Sequence, residues 1–168
     1  MTETIRILGI DPGSQVTGYG IVDLVGSLTR PVAWGGIRTT GEHSSRLKQI
    51  FSKVGELVIE HAPDELAIES VFVHRNADSA LKLGQARAAA ICATFGGEIP
   101  IHEYAPRAIK KALVGNGSAE KSQVEYMVKV ILGLRDRLQS DAADALAIAI
   151  CHAHARTARN LLARVGNA

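Results

Sequence analysis

Between Asp141 and Cys151 every residue is apolar except Asp141 and Asp144, and this run constrains the chain more than any other. A helix that is apolar all round belongs in an interior, so the fold must enclose this segment. Its uninterrupted apolar core, Ala145 to Cys151, is far too short to cross a bilayer. The three-residue spacing of Asp141 and Asp144 sets both carboxylates on one helix face. Acids in a first helical turn are favoured by the helix dipole. That accounts for one exposed acid better than for two acids opening a buried helix. Buried carboxylates without partners lose their charge or bind a cation, and the cation reading is the one adopted.

The elements available to enclose that helix follow in order. Ile7 to Asp11 reads as a strand stopped by Pro12-Gly13. Thr17 to Val25 alternates as a half-buried strand does, and Pro31 to Thr39 is a third strand, with a bulge expected at Gly35-Gly36. Short connections make these three an antiparallel meander. Leu47, Ile50, Phe51, Val54, Leu57 and Val58 then follow helical spacing, with Ser44 or Ser45 as N-cap and Pro63-Asp64 as the stop. Leu66 to Ile68 is a brief buried strand. Asn76 caps a helix running to about Phe95, and Ile99 to Tyr104 is another strand. Pro106 opens a short helix ending near Gly115, Ser118 to about Leu132 forms the next, and Ser140 to about Ala158 the last. The expectation is an α/β fold: a mixed five-stranded sheet, three antiparallel strands then parallel βαβ units, with helices on both faces. In such a sheet the ligand crevice lies at the carboxyl ends of the parallel strands. The length, 168 residues, suits one domain over 1–158, with 159–168 as a frayed tail.

Two strands carry an acid at that carboxyl end. Asp11 ends the first and Glu69 the fourth. Taken singly, Asp11 reads equally as a turn residue before Pro12-Gly13, and Glu69 as a surface strand end. If the strands are neighbours, both project into one crevice with Asp141 and Asp144. Four carboxylates are hard oxygen donors that suit Mg²⁺ or Mn²⁺ rather than zinc. Two such ions about 3.5–4 Å apart activate a water and stabilise the leaving oxygen of a phosphodiester.

Composition narrows the classes further. Cys92 and Cys151 stand alone, with no disulfide framework, as in a reducing cytosol. The N-terminus, broken by Glu3 and Arg6, shows no signal peptide. Residues 1–102 carry nine Lys/Arg against eleven Asp/Glu, and residues 103–168 ten against six. That basic bias is compatible with a polyanionic partner without requiring one.

The strings ILGIDPG, GYGIV, AIESVF, NADSALKLGQAR, GSAEKSQV and DAADALAIAI resemble RuvC-type Holliday-junction resolvases, within the ribonuclease H-like superfamily. The resemblance runs from about residue 6 to about residue 154. It implies an acidic catalytic and metal-holding tetrad at Asp11, Glu69, Asp141 and Asp144. It also implies a cytoplasmic, Mg²⁺-dependent homodimer that resolves four-way DNA junctions by symmetric paired nicks with 5′-phosphate and 3′-hydroxyl ends. The RuvA–RuvB branch-migration complex is the implied partner. It further suggests Phe72 as an aromatic that probes the junction, and Lys110 and Lys121 as backbone contacts.

Read from residues alone, Phe72 could equally be a core contact, Arg75 beside it grips phosphate on a DNA-binding reading or is a solvated surface charge, and Lys110 and Lys121 could be ordinary solvated charges. Lys111 and Arg107 are weaker candidates. Gly115-Asn116-Gly117 does not match a phosphate-binding Walker loop, because the glycine spacing is wrong. His152 and His154 point about 200° apart on a helix, so one ion cannot take both, and with Arg156 they suit a helix C-terminal dipole. Small residues on the helix from Ala77, among them Gly84, Ala86, Ala88 and Ala90, offer close approach to the sheet or to a second subunit. Three other functions share parts of this pattern. They are a ribonuclease H-like nuclease for hybrids or RNA, an actin-like ATPase suggested by the IDPG turn, and a junction-binding scaffold. The ATPase reading fails because 168 residues leave no room for a second subdomain.

Overall fold

In a computed structural model, residues 3–70 and 76–166 are described. The expected mixed sheet is present. Its strands are β1 (Thr4–Asp11), β2 (Val16–Val25), β3 (Leu28–Arg38), β4 (Glu65–Glu69) and β5 (Ile101–Tyr104), in the order β3-β2-β1-β4-β5. β1, β2 and β3 pair antiparallel, and β1, β4 and β5 parallel. The helices are α1 (His43–His61), α2 (Ala77–Cys92), α3 (Pro106–Val114), α4 (Lys121–Leu132) and α5 (Ser140–Gly166).

Strand alternation sorts the core into two layers. Leu8, Ile10, Ile21, Leu66 and Ile68 face α1 and α2. Ile7, Val22, Leu24 and Ala67 face α3, α4 and α5. The same parity puts Gly9 and Asp11 of β1, and Glu65 and Glu69 of β4, on the α5 side. α5 crosses that face with Ala145 to Ile150 and Ala153 essentially without solvent exposure, as its apolar run demands. It sits against bare backbone. A Cβ at Gly18 would fall 2.0 Å from the Asp141 carbonyl oxygen, and one at Gly9 2.3 Å from that of Ala145. The glycines of ILGID and GYG are therefore what lets the central helix lie on the sheet.

Several boundaries differ from the sequence reading. The β2–β3 register shifts between Ile21 and Val22, where Ile21 pairs with Ala33 and Val22 with Pro31. Val32 is the extra residue, so the bulge sits beside Pro31, which lacks a ladder donor, rather than at Gly35-Gly36. Gly35 instead makes room for the Tyr19 ring. α1 begins at His43 with Glu42 at the cap position, ahead of both serines. α4 begins at Lys121 because Glu120 and Gln123 form a reciprocal capping box. α2 ends at Cys92, and a short 3₁₀ turn, Phe95–Gly97, follows. α5 continues to Gly166, past the end expected near Ala158. No helix breaker precedes Gly166, so Asn160 to Ala163 extend it as exposed turns. Among the described residues, no helix is long and apolar enough to cross a membrane.

Candidate active site

The carboxyl end of the parallel strands holds the four acids. Asp11 and Glu69 lie one step beyond the Ile10–Ile68 pair and point to the same face. The turn after Asp11 is closed by other residues. Thr17 Oγ1 donates to the Gly13 carbonyl at 2.8 Å, and Thr39 Oγ1 donates to that of Ser14 at 2.8 Å. The Asp11 carboxylate is thus left to the crevice instead of bracing its own turn. α5 starts above it, and the Gly18–Asp141 contact fixes how far Asp141 and Asp144 stand from the strand ends.

The charges are crowded. Burial, with Asp144, Glu69 and Asp141 nearby, raises the Asp11 carboxyl to about 7, and Lys121 offsets only part of this. Glu69 is also raised, first by burial and then by Asp144, against Lys121 and Lys110. Lys121 Nζ donates to Asp144 Oδ2 at 2.6 Å. Although burial disfavours its charge, that bond and the charges of Asp144, Asp11 and Asp141 hold the ammonium above its ordinary value. Glu69, Lys110, Lys121, Asp144 and Ile148 line a crevice of about 240 Å³ with α3 and α4 as its outer wall.

All four acids predicted from sequence therefore converge, and Lys110 and Lys121 join them. Lys121 is engaged with an acid of the site as well as standing at its rim. Phe72 and Arg75 lie outside the described residues. The donor set is oxygen only and of one sign, with Lys121 its closest cation among the described residues. Such a cluster fits hard divalent cations by chemistry and charge.

The opposite end of the same strand and helix holds a second cluster that sequence reading missed. Four residues of β4 separate Glu69 from Glu65, about 13 Å. Eight residues of α5 separate Asp144 from His152, about 12 Å. The matched rise sets Glu65 against His152, as Glu69 is set against Asp144. His152 is fully buried, and Glu65 nearly so. His152 Nε2 bonds Glu65 Oε2, its Nδ1 lies 2.6 Å from Tyr104 Oη, and Arg156 Nη1 donates to Glu65 Oε1. Burial lowers the His152 pKa despite the Glu65 bond, and His102 lowers it further. A neutral ring satisfies every partner when Nε2–H donates to Glu65 and Nδ1 accepts from Tyr104. This corrects the helix-dipole reading, since His152 lies mid-helix and only His154 is exposed. Glu65, His102 and His152 bring one ligand atom each within 4.8 Å of one another, a group that could hold a metal ion. Both Glu65 oxygens are already engaged, and the His102 and His152 rings stack with centroids 4.3 Å apart. The cluster is complete without an ion. Glu65 was unremarkable in sequence; the signal was its i+4 relation to Glu69 beside a buried helix.

Residues 7–152 match the family model described as RuvC, crossover junction endodeoxyribonuclease. A relative of that name from Methylococcus capsulatus is 53% identical over 161 residues, covering 95% of this chain and 97% of the relative. Another, from Halorhodospira halophila, is 55% identical over 163 residues, covering 96% and 97%. Among solved structures, the T. thermophilus RuvC in complex with a Holliday junction substrate superposes with a TM-score of 0.86 at 33% identity, covering 92% of this chain and 96% of that one. The yeast mitochondrial Holliday junction resolvase Ydc2, at 15% identity, shares the fold with a TM-score of 0.66 over 95% of this chain and 82% of its own. With residues 7–152 matching the family model and relatives 53% and 55% identical over nearly the whole chain, the chain belongs to the RuvC family of crossover junction endodeoxyribonucleases.

Proposed function

We propose that this chain is a Mg²⁺-dependent, structure-specific endonuclease that resolves four-way DNA junctions by paired symmetric nicks. The observation that carries the chemistry is the convergence of Asp11, Glu69, Asp141 and Asp144 at one end of β1, β4 and α5, with Asp11 raised to about 7. The relatives' names and the junction-bound neighbour supply the substrate class.

Two divalent ions, when bound, would activate a water and stabilise the leaving 3′ oxygen. In this reading Asp11 and Asp144 would be the main metal-holding acids, with Glu69 and Asp141 completing the set, and Glu69 would also be placed to orient the attacking water. Lys121, which donates to Asp144, and Lys110 on the same crevice wall would contact the scissile phosphate. Phe72, by the family resemblance, meets the junction itself, and Arg75 beside it grips phosphate. A junction has two-fold symmetry and needs two cuts, so the working unit is a homodimer with one site per protomer. α2 supplies part of its interface: Ala86 and Ala90 are buried inward, while Leu81, Gly84 and Ala88 are exposed. The enzyme acts in the cytoplasm beside the RuvA–RuvB branch-migration complex, through one nuclease domain over residues 1–158.

The deciding experiment is cleavage of an end-labelled four-way junction in Mg²⁺, beside duplex and RNA–DNA hybrid controls. Paired nicks on the junction alone, lost with Asp11→Asn, are the expected result. Cutting of hybrid or single strands would keep the metal site and discard the junction. Tight binding without cutting would leave a scaffold.

A further inference from the structure

We infer that Arg87, on α2, is a positioning residue for Glu69, joining three elements behind the acid cluster. Arg87 Nε donates to the Glu69 main-chain carbonyl at 3.0 Å, and its Nη2 lies 2.9 Å from Glu103 Oε2 on β5. The inference rests on reading Glu69 as a metal-holding acid.

β4 stops at Glu69, and the next amide, Ser70 N–H, donates to Tyr104 O at 2.9 Å. Glu69 is the last residue of a five-residue strand, and the peptide that follows it is held at its N–H by Tyr104 O and at its carbonyl by Arg87 Nε. Its carboxylate hangs from the same Cα whose carbonyl Arg87 holds. Fixing that peptide fixes the direction of the Cα–Cβ bond, and so where the carboxylate stands relative to Asp11 and Asp144. A misplacement of about 1 Å in a reacting site can cost about 100-fold.

The guanidinium is fitted to this task by geometry. Its side chain is only 17% exposed, whereas that of Glu103 is 55% exposed. The Nη2 atom has no aligned acceptor among the described residues, so Glu103 is a charge partner and not a directed bond. The directed bond goes to Glu69. A lysine cannot replace a planar fork that reaches a carbonyl and a carboxylate together. Arg87 also sits on the face of the sheet away from α5, so it touches neither the crevice nor its lysines, and no contact with DNA is needed to explain it.

Removing an outer partner of a metal ligand typically weakens metal affinity or activity by about 10–100-fold. The test is calorimetric titration of Mn²⁺ into the full-length protein without DNA. It compares the parent, Asp11→Asn, Arg87→Leu, Arg87→Lys and Glu103→Gln, each checked for folding by circular dichroism. Arg87→Leu is expected to bind Mn²⁺ about 10–100-fold more weakly, Arg87→Lys to fall between it and the parent, and Glu103→Gln to change by less than about threefold. In cleavage, kcat should fall at low Mg²⁺ and recover at high Mg²⁺, while the KM for the junction stays put. Should Arg87→Leu not fold, Arg87→Lys carries the same test. Unchanged Mn²⁺ affinity in a folded Arg87 variant, beside a loss with Asp11→Asn, overturns the inference and spares the function. Mn²⁺ binding indifferent to Asp11→Asn overturns both.

Discussion

β4 and α5 meet at both ends, and the two meetings are built from opposite rules. At the Glu69 end, carboxylates from β1, β4 and α5 face one another with Lys121 as the nearest counter-charge among the described residues, and burial pushes Asp11 to about 7. At the Glu65 end, one carboxylate meets a neutral histidine, a tyrosine hydroxyl and an arginine, and every group named has its partner. Both clusters hang on the same strand and the same helix. The difference is in charge balance: the second cluster is balanced by the chain's own groups, and the first carries more negative charge than the described residues around it offset. A cluster of like charges with pKa values shifted by burial and by one another is a candidate functional site.

That contrast can be broken most severely at Asp11. Asp11→Asn is expected to cut cleavage at least about a thousandfold, on the order of 4 kcal/mol of transition-state stabilisation, with junction binding retained. In metal-free buffer at pH 8 the same variant should melt higher than the parent, by about 2–4 °C for each kcal/mol of repulsion relieved. A lower melting temperature would mean the acids are not in conflict.

Glu65→Gln should do the reverse. Breaking a buried ion pair costs about 3–5 kcal/mol, and the low end applies because Arg156 keeps some access to water. Urea unfolding would read this, and cleavage per folded molecule should be unchanged. Lost cleavage would show that the two ends are coupled.

The pH dependence sharpens the comparison because the signs are opposite. Asp11 has a folded value of about 7 against an ordinary 3.8, so the folded state holds the extra proton between them. Its contribution is fully present below the ordinary value and is lost as pH rises through about 7. His152 is lowered from 6.5, so its contribution is present above 6.5 and lost as pH falls through its folded value. Melting temperatures across pH 4–9 in chelator should therefore lose part of their decline between about pH 4 and 7 in Asp11→Asn, and part of their decline below pH 6.5 in His152→Gln. Added Mg²⁺ should stabilise the parent more at pH 8 than at pH 5. The smallest effect is at Tyr104→Phe, about 1 kcal/mol for one hydrogen bond, again with cleavage retained.

How much of this was legible differs between the ends for a physical reason. Asp11 and Glu69 were found because they end strands, and Asp141 and Asp144 because acids opening an apolar helix violate the pattern around them. Those are local signals. Glu65, His102 and His152 form a cluster only through the pairing of β4 with β5 and the landing of α5, which no window of sequence contains. His152 was even weighed against the wrong neighbour, His154, two residues away. Arg87 likewise gave no signal, since its partner is a main-chain carbonyl. The close seat of α5 was visible as glycines in β1 and β2, yet their meaning as a landing site needed the helix in place.

The equal rise of four strand residues and eight helix residues has a consequence for how this chain can vary. Inserting or deleting one residue between Asp144 and His152 would turn the helix by about 100° and shift it by 1.5 Å. One of the two ends would then have to come out of register, so the length of that stretch is locked. Beyond Arg159, whose charge still acts on His152 and Tyr104, no such vernier operates, and α5 can lengthen or shorten without disturbing either end. Among relatives, gaps should therefore be absent from the eight-residue interval and gather in the helix that follows it.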